Sequence, residues 1–475
     1  MGISLNPATL LNGQGINVSS LVQQVLSETD GQLTEWQSEQ STLQSQASDL
    51  TSINSDLTNL ATAVQALADP LGALTSLTAS SSDTSVLNAT ASTSATAGTN
   101  SVVVSNLATA GTVYTDDFSG GADASILPSG QTTGEIDLQV GGSSGTTDPI
   151  TITAGSNDTL NTLASYINSQ NLGVTASVVT DANGSRLALV SQSTGTPSAL
   201  AITANNTNLN FDSPTGGTNA SLSINGVPYS STSNTITGAI PGVTLNLAAA
   251  NPNEAVQVTV GTDSSAITSA INNFVSAYNQ VIGDINQEVT INPTTNTQGP
   301  LGTDSSLTEL QSSLLADAAY SPPGTSSSGY VNLAALGINT NDDGTLTVDS
   351  SQLASELSSN PAAVQSFFQN TSNSGFANNF NTDITNQTNP TTGPLNVDLA
   401  QNTASQQDLS TNISNFETQL TAQQTQLTSE FDQVNASLEA YPLLLEQVTE
   451  TLGTLNTSGN TNTTSTSIPT LTSGL

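Results

Sequence analysis

The 475-residue sequence has no cysteine and no histidine, and Arg186 is its lone basic side chain against 37 acidic ones. Disulfides and Cys/His zinc sites cannot form. Histidine or lysine bases and cysteine nucleophiles are excluded as well. At a formal net charge of −36 the chain cannot neutralise phosphates, so nucleic acid is ruled out as a partner. Charged residues make up only 8% of the chain, where about 25% is usual, so networks of ion pairs cannot organise its surface. No apolar run approaches the ~18 residues that suggest a membrane span, and no membrane insertion is expected. Met1 to Gln14 lacks both a basic residue and an apolar stretch, so a cleaved secretory signal is not expected.

What remains is a chain rich in Ser, Thr, Asn and Gln. The carboxylate pairs Asp116-Asp117 and Asp342-Asp343 are adjacent. Neighbouring side chains point apart on a strand and do not share a helix face. The reading is therefore not an enzyme, with no cofactor and no metal. Asn339 to Gly344 resembles the start of a calcium loop, but Ser350 stands where the bidentate Glu belongs. An Asp-Gly hairpin turn is the better reading. Arg186, beside the Asn183-Gly184 turn, reads as a solvated hairpin residue.

The two ends of the chain are helical in pattern. Leu43, Leu50, Leu57 and Val64 fall seven apart, with Ile53, Leu60 and Leu67 as a second row and Gln46 as a polar member of it. This is a coiled-coil seam, and Asp69-Pro70 ends it. Near the other end Ile413, Leu420, Leu427 and Val434 repeat the spacing, followed by Tyr441 and Val448. Pro442 is expected to kink or end that helix, and 453–475 to be disordered. Val18, Leu21, Val22, Val25 and Leu26 form an apolar stripe without an evident partner in the chain. Trp36 extends the seam as a packing residue.

Between the ends the period changes to two. Ile136, Leu138 and Val140 alternate, Ile150 and Ile152 follow, and a short helix spans 158–168 with Ser156, Asn157 or Asp158 as its cap. Val174 to Val178 and Leu187 to Val190 flank the Asn-Gly turn, which completes a β-β-α-β-β unit; 205–219 reads as a linker. Helical patterns return from Ala266 onward. The fold class is multidomain α+β: a helical coiled-coil stalk from the N- and C-terminal segments with inserted β-rich domains.

Several motifs follow in order: Gly15-Ile16-Asn17-Val18 with Leu21-Val22, Phe274-Val275-Ser276-Ala277-Tyr278-Asn279, Gly299-Pro300-Leu301 with Asp304-Ser305, and Leu336-Gly337-Ile338 with Asp343-Gly344-Thr345-Leu346. Together they resemble one family, the flagellar hook-associated protein 2 or filament cap proteins. The stretch Thr159 to Val178 resembles a repeat shared with flagellins. The resemblance implies a structural capping protein at the distal end of the bacterial flagellar filament. Such a protein promotes flagellin folding and polymerisation and prevents monomer loss. Implied partners are further copies of itself in a homo-oligomeric cap, flagellin and a flagellar export chaperone. The implied location is extracellular, at the flagellum tip.

On this reading residues 1–40 are a partly disordered, filament-contacting segment. Residues 41–78 and 262–452 form a discontinuous helical leg, 79–134 and 215–261 a β-rich domain, and 135–214 an inserted flagellin-like domain. Filament or oligomer contacts fall to Val18, Leu21, Val22, Val25, Leu26 and Trp36. The alternative reading is a surface adhesin that binds glycans through its β domains.

Overall fold

The structure is a computed structural model that describes residues 18–27, 30–323, 330–370 and 374–458. The motif at Gly15-Ile16-Asn17 and the tail from 459 lie outside the described residues. In chain order the described helices are α1 (Val18–Leu26), α2 (Asp30–Ala68), α3 (Leu160–Ser169), α4 (Ser264–Val289), α5 (Ser305–Ala318), α6 (Ser350–Ser359), α7 (Pro361–Phe368), α8 (Phe376–Gln387) and α9 (Pro394–Ser458). The strands are β1 (Leu77–Ser81), β2 (Leu87–Ala91), β3 (Gly98–Asn106), β4 (Thr112–Tyr114), β5 (Thr133–Val140), β6 (Thr146–Thr153), β7 (Val174–Thr180), β8 (Ser185–Ser191), β9 (Leu200–Asn205), β10 (Ala220–Ile224), β11 (Val227–Ser231), β12 (Thr235–Ile240), β13 (Val243–Leu247), β14 (Asn251–Thr262), β15 (Ile338–Thr340) and β16 (Leu346–Val348). The chain divides into two units, one of residues 1–61, 279–316 and 383–475, the other of 62–278 and 317–382.

The first unit is helical. The α2 rows expected from the heptads bury Leu50, Ile53, Leu57 and Leu60, and α4 buries Val281, Ile282 and Ile285. Helices α2 and α9 run antiparallel. Residues 36, 43, 46 and 54 of α2 meet 416, 406, 402 and 396 of α9 through ring packing or side-chain hydrogen bonds. The α9 helix continues through position 442, where a kink or an end was expected, and runs on to Ser458. That stretch is exposed on its surroundings, so water can satisfy the carbonyl that a proline leaves without its N–H partner.

In the second unit, β1-β14-β3-β10-β11 form one antiparallel sheet and β12-β13-β2 a second. Both face a single core that includes Val102, Val104, Val258 and Val260 from the first sheet and Leu87, Ile236 and Leu245 from the second. The β14 burial pattern alternates over Val256, Val258 and Val260, as a strand with one solvated face requires. A separate core lies between β6-β5-β9, β4-β8-β7 and α3, through Ile136, Leu138, Ile150, Leu163, Ile167, Leu187 and Leu189.

Three local features differ from the sequence expectation here. The cap of α3 is Thr159, in a reciprocal box with Thr162; Asn157 instead ties the Thr153 N–H and the Thr151 carbonyl. The 205–219 stretch is anchored, with Leu209 buried and Thr215 and Phe211 bridged to Thr112 and Thr115. Arg186 is not merely solvated: its Nε and Nη2 donate to both Asp117 carboxylate oxygens at 2.6 and 2.9 Å. This two-pronged grip pins the loop after β4 to β8, beside the Thr115 hydroxyl that accepts from the Leu187 N–H.

The remaining helices of this unit close around aromatic rings. Phe274 lies 5.8 Å from Phe376 and 5.5 Å from Phe380, edge to face in both cases. Phe367 stacks on Phe376 at 5.6 Å, and Phe368 meets Phe367 edge-on. The Tyr278 ring joins through Phe380, and burial pushes its hydroxyl well above the ordinary tyrosine range. Gln369 Nε2 donates to the Leu67 and Asp69 carbonyls, which satisfies acceptors at the end of α2. Phe380 is fully buried among these rings, so Phe380→Ala should cost about 3–5 kcal/mol. Urea denaturation of the full chain measures it, and a loss under about 1 kcal/mol would show that the ring cluster does not hold this part together.

Candidate assembly surface

The seam is built from α2, α9 and the loop between α4 and α5. Gln46, the polar position in an otherwise aliphatic row, is the junction. Its Nε2 donates to the Pro300 carbonyl at 2.9 Å, and its Oε1 accepts from Asn402 Nδ2 at 3.3 Å. Gln406 Nε2 then reaches Asn402 Oδ1 and the Leu43 carbonyl. A half-buried polar position of this kind favours one register, because a slip by one turn leaves its groups unpaired.

The loop that presents Pro300 folds over Glu288. Glu288 is buried and accepts from the Leu301 N–H at 2.9 Å, while the Gly299 N–H donates to the Glu288 carbonyl. A Cβ at position 299 would come 2.3 Å from Glu288 Oε2, so any larger residue there would have to displace the Glu288 carboxylate from the Leu301 N–H. The Gly299-Pro300-Leu301 motif is thus the device that brings a carbonyl to Gln46.

Of the expected seam residues, Leu50, Ile53, Leu57 and Leu60 are buried in the first unit, and Val64 and Leu67 in the second. Leu43 is half-buried, Ile413 is buried, and Leu420 and Leu427 are half-buried. Val434 is 48% exposed. The row therefore passes from covered to uncovered as it follows α9.

The stripe read as lacking a partner within the chain is placed differently. Helix α1 packs against α9. Val22 is 2% exposed, and Val18, Val25 and Leu26 are half-buried. The Leu21 side chain lies outside the described residues. Trp36 is half-buried, 5.4 Å from Phe416 and edge-on to it.

The uncovered apolar surface sits farther along. Val434, Leu438, Tyr441, Leu445, Val448 and Leu452 are all exposed, Tyr441 at 65% and Leu452 at 62%. Their spacing alternates four and three residues, which is a coiled-coil seam. Among the described residues nothing covers it. The heptad periodicity finds these residues but not their exposure. The signal for exposure is length: α9 has 65 residues and α2 has 39. At about 1.5 Å per residue, α9 outruns what α2 and the short α1 can cover.

Among the described residues no three His, Cys, Asp or Glu side chains are grouped so as to hold a metal ion. The Asp343 turn is a hairpin between β15 and β16, with Gly344 at a φ of 82°. No described helix is long and apolar enough to cross a membrane.

Helices from both ends of the chain, β modules inserted between them in sequence, and an exposed apolar row on the longest helix are features of a structural protein. Residues 14–111 match the model of the flagellar hook-associated protein 2 N-terminus, and residues 217–441 match that of its C-terminus. Residues 135–193 match the flagellin hook IN motif. The chain belongs to the flagellar hook-associated protein 2 family. It is 26% identical over 419 residues to the B-type flagellar hook-associated protein 2 of Pseudomonas aeruginosa, across 78% of this chain and 85% of that one. It is 30% identical over 145 residues to flagellar hook-associated protein 2 of Helicobacter pylori, but this spans only 30% of this chain and 21% of the relative. The crystal structure of the D1-D2-D3 domains of the Escherichia coli flagellar cap protein FliD superimposes with a TM-score of 0.55 at 26% identity, over 75% of this chain and 99% of that one.

Gln46→Ala leaves the Pro300 carbonyl and Asn402 without their partner, at an expected cost of about 1–3 kcal/mol. Chemical denaturation checks this. A change below about 0.5 kcal/mol would mean that Gln46 does not set the register.

Proposed function

We propose that this protein is the capping subunit at the distal, extracellular end of the bacterial flagellar filament. There it promotes flagellin folding and polymerisation and prevents loss of monomers. The observation that carries the reading is the uncovered seam from Val434 to Leu452, in a chain that belongs to the cap family. An apolar helix face of this length is stable in water only when another molecule covers it. In the proposal the occupants are further cap subunits and the filament.

The chemistry required is reversible association alone. A cap must move as each flagellin inserts, so its contacts must break and re-form. A seam without cationic partners suits that role: it has apolar packing and amide hydrogen bonds but no ion pairs to lock it. The reading also includes a flagellar export chaperone as a partner during secretion. The glycan-adhesin alternative has no observation of its own.

The test is Leu438→Ser combined with Leu445→Ser, at exposed positions of α9. The unfolding midpoint should stay close to wild type, since neither side chain is in the core. Cells that carry the double variant should shed flagellin into the medium and grow short filaments or none. Normal filaments from a stably expressed double variant would remove the seam from the mechanism.

A further inference from the structure

The distribution of charge carries an inference independent of the capping role. Acid unfolds ordinary proteins in two ways: it breaks ion pairs, and it leaves Lys, Arg and His charges uncompensated. Both routes are nearly closed here, the first to a single ion pair and the second to a single arginine. Among the described residues the sole ion pair is Arg186 with Asp117. With every carboxylate protonated, the side-chain charge is that of Arg186 alone. At neutral pH, by contrast, the chain holds its net charge of −36 against its own repulsion.

Helix-surface positions that would ordinarily pair an acid with a lysine carry amides instead. Gln426 donates to Glu430 at 2.9 Å, Asn435 to Glu439 at 2.9 Å, and Gln280 to Asp284 at 3.2 Å. An amide can donate to a carboxylate and equally to the carbonyl of a protonated carboxyl, and its own oxygen can accept the acid proton. Such contacts survive titration, whereas a lysine contact loses its attraction.

Within the first unit two carboxyl groups come close enough to interact, Asp284 of α4 and Asp56 of α2. Asn59 Nδ2 donates to Asp56 Oδ1 at 3.4 Å, and Glu288 adds a third negative group from α4 itself. The neighbouring helices of the unit supply only acidic groups: Glu309 on α5, and Asp398 and Asp408 on the paired stretch of α9. Two neighbouring carboxyl groups cannot both be ionised without repulsion.

We infer that this protein is built to hold its fold in acidic surroundings, with protons taking the place of basic side chains as its counter-charges, and that neutral pH is its less stable condition. The sign follows from the individual groups. Burial raises Asp284, with the Asp56 contact adding to it, and burial raises Asp49. A carboxyl raised in the folded state stabilises at low pH, and that stability is lost as pH rises through its folded value.

Three groups act in the opposite direction. Hydrogen bonds from the Ser85, Thr345 and Ser351 hydroxyls and nearby backbone N–H groups lower Asp83, Asp343 and Asp349. Their contribution is present above the ordinary carboxylate range and lost only as pH falls through their lowered values. These exposed turns and caps set the acid limit. Relief of self-repulsion and protonation of the raised Asp284 act earlier in the fall of pH than the loss of these lowered groups.

Thermal unfolding of the full chain, followed by circular dichroism at low salt, tests this. The first transition at about pH 4 should lie at least about 5 °C above that at about pH 7. Added salt should raise the midpoint at about pH 7 and leave it nearly unchanged at about pH 4, because screening matters only where charge remains. Asp284→Asn should raise the midpoint at about pH 7 and flatten its dependence on pH. A midpoint that is highest near neutral pH, or that salt lowers there, would overturn the proposal, and both readings are made on the wild-type chain.

Discussion

The antiparallel pairing of α2 with α9 is the constraint on which the first unit depends. Residues more than 340 positions apart meet there, Asn54 with Asn396 and Gln46 with Asn402. Closing such a loop costs entropy that local contacts do not repay. Burial of Leu50, Ile53, Leu57 and Leu60 supplies the return, at about 1.5–3 kcal/mol for each side chain removed from water. Aliphatic burial is non-directional, however, and would tolerate a slip along the seam. Direction comes from Gln46, which needs both the Pro300 carbonyl and Asn402. The Gly299 turn over Glu288 sets where that carbonyl stands, so a loop outside the helices determines how they align.

The missing lysines and arginines change how such a seam can be specified. Coiled coils ordinarily select partners through acid–base pairs beside the apolar rows. That vocabulary is unavailable to a chain with one arginine. Amide-to-amide and amide-to-carboxyl hydrogen bonds replace it, in the Gln46–Asn402–Gln406 series and in Gln426–Glu430. These bonds are short in reach and depend on geometry, so they specify register well and attract poorly from a distance. A surface that attracts poorly from a distance suits contacts that must open and close repeatedly.

Much of this fold could be read from residue order because its determinants are local. The α2 heptads, the Asn183-Gly184 hairpin, the β-β-α-β-β order and the Asp343-Gly344 hairpin all lie within a few residues of their own signals. Gly337 has a φ of 84° and closes a short helical turn over Leu333–Leu336, which the residue pattern there did not announce. What could not be read was set by distant partners. Arg186 finds Asp117 across 69 residues. The strand β4 is three residues long and exists because β8 is there to pair with it. Val22 is buried because α1 meets α9, which no periodicity near residue 22 reveals.

The same limit applies to the assembly surface. Residues 18–26 and 434–452 both carry apolar rows, and pattern alone cannot say which row is covered. The answer depends on the lengths of three helices and on the register that Gln46 imposes. With residue 36 of α2 opposite residue 416 of α9, each earlier position of an antiparallel partner falls at a later position of α9. The described N-terminal helices end at Val18, whereas α9 runs on to Ser458. The exposed seam from Val434 to Leu452 is thus a geometric remainder of a helix longer than its covering partners. Its apolar spacing of four and three is matched by no burial among the described residues, which is why the proposed function rests on it.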